Sequence, residues 1–252
     1  MDNLTSTTPY VSGRWLARLT VIALVLGIVL SLAAIFANFL QIGSVAEAIA
    51  GPEITEEELT GGDLFGGSVA ILHFLVFIAT AVLFSMWLYR ASRNLRALGT
   101  PKQNLEYSPG WAVGSFFVPI LNLFVPFRAV KEIWVKSDPN VGSAIIFSPQ
   151  GSTIPAFIGW WWALWIISNI ASRIVFRFSG RAETPEQILI AAKLEIGTYL
   201  LEITAAVFAV FLVQRIDARQ EARSMRVTLL DVEPPPPLSS SINQQNEQAT
   251  NH

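Results

Sequence analysis

The chain has no cysteine and only two histidines, His73 and His252, among its 252 residues. Without thiols it forms no disulfide, no thiolate metal site and no thiol nucleophile. Two histidines are too few for a multi-histidine metal centre, so we expect no metal and no cofactor. Charged residues are also scarce, at 14% compared with roughly a quarter in soluble domains. With 52% hydrophobic residues and a mean hydropathy of +0.47, the composition predicts an integral membrane protein.

Motifs of the common enzyme classes are missing as well. The sequence has no Gly-rich phosphate loop, GxSxG nucleophile elbow, HExxH zinc motif or dinucleotide fingerprint. Basic residues over 90–136 do not alternate with aromatic residues as they do in nucleic-acid-binding segments. We therefore predict that the protein is not an enzyme and does not bind nucleic acid.

Four long apolar runs match the length of a transmembrane helix. About 20 mostly apolar residues cross the roughly 30 Å of hydrocarbon, where the backbone finds no partner outside its own helix. The predicted spans are about 19–42, 69–89, 154–175 and 188–213. They form one membrane domain, 19–213, after a short N-terminus, 1–18. The C-terminal region, 214–252, is predicted to be a basic helix end followed by a disordered Pro-rich tail.

A fifth apolar run, 110–127, differs from the four spans. Pro119 divides it, Pro126 closes it and Asn122 interrupts its apolar surface. Proline inside a helix removes a backbone hydrogen bond and clashes with the preceding turn, so each half is too short to cross the bilayer. The run predicts a Pro-broken re-entrant or interfacial helical hairpin. The fold class is therefore all-α integral membrane, with four transmembrane helices and this hairpin on the cytoplasmic side.

The positions of lysine and arginine predict the orientation. If 110–127 enters and leaves on one side, most basic residues near the span ends share that side, which the positive-inside rule assigns to the cytoplasm. The stretch 43–68, predicted to be the first outer loop, has six acidic residues and no basic one. We therefore predict a multi-pass membrane protein with both termini in the cytoplasm.

Local signals delimit helices in the segment between the second and third spans. Gly99 followed by Pro101 predicts the end of a helix that continues from the second span. Ser108-Pro109 predicts the start of the next helix, because proline is tolerated at a first helical position.

After Pro126 the sequence predicts an amphipathic helix. Its apolar residues recur at helical spacing on one face, at Phe127, Val130 and Trp134. Its basic residues are Arg128, Lys131 and Lys136. We expect such a helix at the membrane interface, apolar side down, with its basic residues near the anionic head groups of the cytoplasmic leaflet.

Several motifs follow one another in a distinctive order over 90–138. In chain order they are Asn94, Leu98-Gly99, Tyr107-Ser108-Pro109-Gly110-Trp111, Pro119-x-x-Asn122, Pro126 and Trp134. On these residues the chain resembles a bacterial membrane family, the domain-of-unknown-function family numbered 4328, over roughly 65–215. The resemblance implies a bacterial multi-span protein with recurring positions at Pro119, Asn122 and Pro126, and it implies no particular activity.

Ionisable residues within a span are costly and are therefore functional candidates. Glu195 and Glu202 are seven residues apart, which places both on one face of the fourth span, with Glu202 near the middle of the bilayer. Residues expected at matching depth are Ser168 and Asn169 for Glu202, and Arg173, Arg177 and His73 for Glu195. This set predicts either a structural polar cluster or a ligand or ion pathway through Glu202.

The leading interpretation is a non-enzymatic interaction or envelope-organising protein that binds partners through the segment 90–138. One alternative is a small transporter or channel component that uses Glu202. A second alternative is a sensor that responds to anionic lipid through Arg128, Lys131 and Lys136. Assembly into a homo-oligomer is compatible with each of these functions.

Overall fold

The structure, a computed structural model, describes residues 9–51, 56–139 and 153–231. None of the described residues forms a β-strand, which confirms the all-α prediction. The six α-helices of the described residues are α1 Arg14–Ala50, α2 Glu56–Ala97, α3 Pro109–Gly114, α4 Val125–Lys136, α5 Ala156–Ser179 and α6 Pro185–Asp231. Short 3₁₀ turns lie at Lys102–Asn104, Ser115–Phe117 and Leu121–Leu123.

Three helices are long and apolar enough to cross a membrane. The qualifying stretches are Arg14–Glu47 of α1, Leu64–Ala97 of α2 and Pro185–Thr228 of α6. With 24 residues, α5 is about 36 Å long, which is also sufficient to cross. It is not among the three because its tryptophan, arginine, serine and asparagine residues lower its mean hydropathy. Three such helices agree with a multi-pass membrane protein.

The four predicted spans coincide with α1, α2, α5 and α6, but the helices at the first connection extend much further. α1 runs to Ala50 and α2 begins at Glu56. The connection over 43–68 is therefore largely helical rather than a loop, because polar residues continue both helices beyond their apolar parts, and its position on the outer side stays a prediction. The charged stretch after 213 continues α6 to Asp231, as predicted. The predicted disordered tail lies outside the described residues.

The local helix signals are confirmed. α2 ends at Ala97, and Gly99 follows with a φ of +83°, a conformation that glycine adopts without strain. The Gly99 amide bonds to the Arg96 carbonyl and the Thr100 amide to the Leu95 carbonyl, both at 3.0 Å. This pair of bonds is a Schellman motif, which satisfies the last carbonyls of the helix.

The start of α3 is also as predicted. The Ser108 hydroxyl accepts a bond from the Trp111 amide at 3.2 Å, and Pro109 occupies the first turn of α3. Such a cap satisfies an amide that a helix otherwise leaves without a partner. The apolar run 110–127 then continues as short helical pieces rather than as one helix.

The main core lies at one end of the bundle. α1 packs against α2 and α6, and α6 also packs against α5, while α3 and α4 cover α2 and α5 at this end. Large buried side chains fill the space between them, among them Leu88, Leu95, Ile158, Leu212 and Ile216. We call this end, marked by Arg14, Arg90 and Arg215, the basic end.

α4 buries its apolar face in the protein. Val130, Ile133 and Trp134 are 0%, 1% and 6% exposed and belong to the main core. The expectation that this face points down into the membrane is therefore wrong, because α2 and α5 cover it. On the other side of the helix, Arg128 and Lys131 are exposed, and Lys136 is partly buried.

Candidate functional site

A polar cluster joins the four long helices. The Glu202 carboxylate of α6 accepts a hydrogen bond from the Ser172 hydroxyl of α5 at 3.1 Å. Its other oxygen lies 3.8 Å from Nε2 of His73 on α2. The same nitrogen is 3.1 Å from the Ser31 hydroxyl of α1. The Tyr199 ring packs edge-on against the His73 ring, with 5.6 Å between centroids. We call Ser31, His73, Ser172, Tyr199 and Glu202 the four-helix polar cluster.

This cluster lies far from the basic end along the helices. Thirteen residues separate Glu202 from Arg215 on α6, and thirteen separate Ser31 from Arg18 on α1. Each interval is about 20 Å of helix. On the opposite side, sixteen residues lead from Glu202 back to Glu186. A helix that crosses a membrane over this stretch therefore carries Glu202 in the hydrocarbon region.

The chemistry of the cluster depends on its protons. A neutral His73 with a free lone pair on Nε2 accepts a hydrogen bond from Ser31, whereas a protonated His73 donates and pairs with Glu202. Protein covers the pair only in part, because 21% of the His73 side chain and 32% of the Glu202 side chain are exposed. Among the described residues, no three carboxylate or imidazole groups lie close enough together to hold a metal ion.

Of the predicted site residues, the structure brings His73 and Glu202 together and leaves the others out of contact with Glu202. His73, expected at the depth of Glu195, instead lies beside Glu202. Asn169 and Ser168 both bond back to the Trp165 carbonyl of their own helix, at 2.7 and 3.0 Å. The expectation that these two residues meet Glu202 is wrong, because Ser172, one turn further along α5, faces it.

Glu195 has a partner that the sequence did not predict. Its carboxylate accepts a hydrogen bond from the Ser179 hydroxyl at 2.6 Å. Arg173 and Arg177 are exposed, and neither pairs with Glu195 among the described contacts. The predicted ion-pair cluster at this level is therefore wrong. The sequence did not predict Ser172 and Ser179 as partners, because the packing of the helices decides which residues lie at the same depth.

A second polar network, built on buried polar side chains, ties the basic end together. The Asn94 side-chain amide donates to the Val11 carbonyl at 3.0 Å and to Oε1 of Gln220 at 3.3 Å. The Gln220 amide donates in turn to the Ala91 carbonyl at 2.9 Å and to the Ser137 hydroxyl at 3.1 Å. Asn94 and Gln220 are each 3% exposed. One side chain from α2 and one from α6 therefore connect the N-terminal segment, α2 and the end of α4.

Arginines of α6 hold the C-terminal end of α4. The Arg219 guanidinium lies 4.2 Å from the centre of the Trp134 ring and 2.8 Å from the Asp138 carboxylate. Arg223 donates a hydrogen bond to the Lys136 carbonyl. A cation over an indole face and a bond to a last-turn carbonyl both stabilise such a junction. These arginines therefore serve packing within the chain.

The Pro-broken segment 110–127 packs against α2 and α5 through Phe116. The Phe116 ring lies 6.3 Å from Phe84 on α2 and 5.9 Å from Trp165 on α5. The Trp162 indole N–H donates to the Leu123 carbonyl at 3.0 Å, which satisfies a backbone group within the broken segment. Ile120 at the turn is 75% exposed.

Glu132 of α4 binds the segment that precedes α3 at the basic end. Its two carboxylate oxygens accept bonds from the amides of Glu106 and Tyr107, at 2.6 and 3.3 Å. Burial, followed by a hydrogen bond to Glu106, raises the pKa of the Tyr107 hydroxyl, which therefore remains a donor.

A family model described as "Domain of unknown function (DUF4328)" matches residues 50–218, more than half of the chain. The chain belongs to the DUF4328 family. The match includes His73, Ser172, Tyr199 and Glu202 of the four-helix polar cluster, whereas Ser31 precedes it. No curated protein matches the chain, and neither does any solved structure.

The motif residues of this DUF4328 chain have distinct places in the fold. Asn94 and Trp134 are buried at the basic end, and Pro126 lies in the first turn of α4. Trp111 is 48% exposed, and Pro119 is exposed between two 3₁₀ turns. The Asn122 side-chain oxygen is buried without a hydrogen-bond partner among the described atoms.

Proposed function

We propose that the chain is a non-enzymatic small transporter or channel component of a bacterial inner membrane, in which Glu202 takes up and releases a proton. The contact between His73 and Glu202, about 20 Å of helix from the basic end, carries this proposal. Ionisable groups at such depth are costly, and carboxylate and imidazole groups recur in proton relays of membrane transporters.

The cluster offers a simple transfer step. A proton that reaches His73 forms an imidazolium, which pairs with the Glu202 carboxylate and donates to Ser31. Transfer of that proton to Glu202 requires the 3.8 Å gap between the two side chains to close to hydrogen-bond distance. The transfer leaves both groups neutral, and Ser172 remains beside the carboxyl group. Because the charged pair attracts more strongly than the neutral pair in a medium of low dielectric constant, protonation changes the force between α2 and α6.

The function is tested by proton flux in vesicles reconstituted with the purified full chain. The vesicles contain a pH-sensitive dye and carry an imposed potassium diffusion potential, negative inside. We expect the interior to acidify faster than in protein-free vesicles. Equal acidification at every potential tested would refute a proton pathway.

The proposal includes four spans, with the hairpin re-entering from the cytoplasmic side and both termini in the cytoplasm. The length of α5 supports a fourth span. Phe116 at the hairpin turn meets Trp165, nine residues or about 14 Å into α5. The two ends of the hairpin meet through Glu132 and Tyr107 at the basic end, which supports entry and exit on one side. The basic residues at this end favour the cytoplasm.

Cysteine accessibility tests this topology in a chain that has no natural cysteine. Ser108→Cys and Lys131→Cys lie on either side of the hairpin, Arg181→Cys follows α5, and all three positions are exposed. In intact cells we expect an impermeant thiol reagent to label position 181 alone. Positions 108 and 131 should react only after lysis. Labelling of 131 from outside would mean that the hairpin crosses the membrane.

The exposed basic face of α4 supports a second candidate function, in interaction or envelope organisation. Arg128 and Lys131 are exposed, while the apolar face of the same helix is buried in the bundle. A rigidly held basic face at the end of the bundle can bind anionic head groups or an acidic partner, as the sensor alternative requires. Residues that the fold uses internally, such as Arg223, are not part of this surface.

Hydrogen exchange of α4 in lipid nanodiscs tests this second function. We expect slower exchange at its amides in nanodiscs with anionic lipid than in nanodiscs with neutral lipid. The double variant Arg128→Glu, Lys131→Glu should lose this difference. Lys102→Glu, an exposed charge reversal in the preceding 3₁₀ turn, is the matched control and should keep it. Equal exchange of the wild type in both lipids would exclude a lipid-responsive α4.

A further inference from the structure

A groove of about 650 Å³ lies between the start of α1 and the C-terminal part of α6 at the basic end. Its charged lining residues are Arg14, Arg18, Asp217 and Glu221. Val21 and Ile22 line the part of the groove nearer the middle of the bundle. The groove therefore combines both signs of charge at the level of the basic residues with an apolar continuation toward the interior of the membrane.

One of these charges is already committed to the N-terminal segment. Glu221 accepts hydrogen bonds from the Tyr10 hydroxyl at 3.2 Å and from the Ser12 hydroxyl, and lies 3.5 Å from the Arg14 guanidinium. Burial, together with the Glu221 charge, raises the pKa of Tyr10 and keeps its hydroxyl protonated as a donor. Glu221 therefore holds residues 10–14 against α6.

The two other charged residues, Arg18 and Asp217, remain available to a ligand. Arg18 is exposed and forms no direct ion pair with a described residue. Asp217 lies beside Gly13, where an added Cβ would be 3.4 Å from its Oδ1, and within electrostatic range of Arg14 and Arg18. A guanidinium and a carboxylate thus face one groove without a direct bond between them.

We propose that this groove binds the head group of a phospholipid that carries both a phosphate and a primary amine, as in phosphatidylethanolamine. The phosphate lies against Arg18, with Arg14 nearby, and the ammonium lies against Asp217. The first part of an acyl chain follows Val21 and Ile22. Head groups occupy this level because basic residues at span ends lie at the membrane boundary.

Charge and hydrogen bonding distinguish this ligand from other lipids. Two arginines and two carboxylates balance, as in a zwitterion, whereas the carboxylates repel a purely anionic head group. A primary ammonium donates charge-assisted hydrogen bonds to a carboxylate, and a quaternary ammonium has no N–H to donate. The groove should therefore prefer ethanolamine over both glycerol and choline head groups.

Native mass spectrometry of the detergent-solubilised full chain tests the preference. The probes are phosphatidylethanolamine, phosphatidylcholine and phosphatidylglycerol with identical acyl chains. We expect the wild type to retain the ethanolamine lipid about fivefold more than either of the others. This ratio corresponds to a difference of about 1 kcal/mol in binding free energy. Equal retention of the three, or a preference for the glycerol lipid, would overturn the proposal.

Two variants locate the site. Arg18→Gln should lower retention of the ethanolamine lipid by about fivefold, and Asp217→Asn should remove the preference over the choline lipid. Arg93→Gln, at another exposed arginine of the basic end, is the matched control and should behave as the wild type. Because Arg18 is exposed, its replacement keeps the test valid if Asp217→Asn fails to fold. Wild-type retention by Arg18→Gln would refute the site.

Discussion

Glu202→Gln should reduce proton influx to the rate of protein-free vesicles while the protein remains folded. Glutamine has nearly the same shape and can still accept the hydrogen bond from Ser172. It cannot exchange a proton, so the transfer step is lost without removal of the side chain. Flux in reconstituted vesicles gives the rate, and thermal unfolding in detergent reports the fold. A wild-type rate in this variant would exclude Glu202 as the proton carrier.

Two control variants distinguish loss of the proton step from the general effect of removing a negative charge from α6. Glu195→Gln removes a carboxylate on the same face, and Glu195 is likewise bonded to a serine of α5. Because it lies outside the four-helix polar cluster, its flux should equal that of the wild type. His73→Gln keeps a side chain that can bond to Ser31 but removes the titratable ring, and we expect flux to fall about a hundredfold. Equal loss in all three variants would contradict a specific role for the cluster.

Trp134→Ala should destabilise the protein by about 3–5 kcal/mol. The ring is 6% exposed, lies 4.2 Å below the Arg219 guanidinium and packs edge-on against Phe157 at 5.6 Å. Its indole N–H also donates to the Thr153 carbonyl at 3.3 Å. Alanine leaves a cavity in the main core and removes both polar contacts. The free energy of unfolding, from reversible denaturation in mixed micelles, measures the effect.

Two further substitutions show which contact matters. Trp134→Phe keeps an aromatic ring near Arg219 and loses the N–H, so it should cost about 1 kcal/mol beyond its smaller size. Trp111→Ala removes a tryptophan from the same family motif, but this residue is 48% exposed. Its effect should be within about 0.5 kcal/mol. Similar losses from Trp134→Ala and Trp111→Ala would show that burial at α4 is not the source of stability.

Local patterns predicted the helices well because their physical causes are local. Gly99 ends α2 and Ser108 caps α3 through bonds within a few residues of each position. The placement of α4 was wrong for the opposite reason. Its apolar face has the same sequence pattern whether lipid or protein covers it, and only packing against α2 and α5 decides between them.

The candidate site was predictable only where a residue is conspicuous in itself. His73 and Glu202 attracted attention because ionisable groups are rare within apolar helices. Ser31 and Ser172 did not, since hydroxyl groups in helices usually bond to their own backbone, as Ser168 does. Depths counted from the ends of hydropathy runs also misplaced the contacts by one to two turns, because the helices extend beyond those runs.

Two of the polar contacts between α2 and α6 lie at equal intervals on both helices. Eighteen residues lead from His73 to Ala91, and eighteen lead from Glu202 to Gln220. This interval is five complete turns, about 27 Å, so both contacts use the same face of each helix. The two parallel helices therefore contact each other at two levels, one at Glu202 and one at the basic end. If α6 slides or rotates as a rigid helix and separates Glu202 from His73, it also separates Gln220 from Ala91.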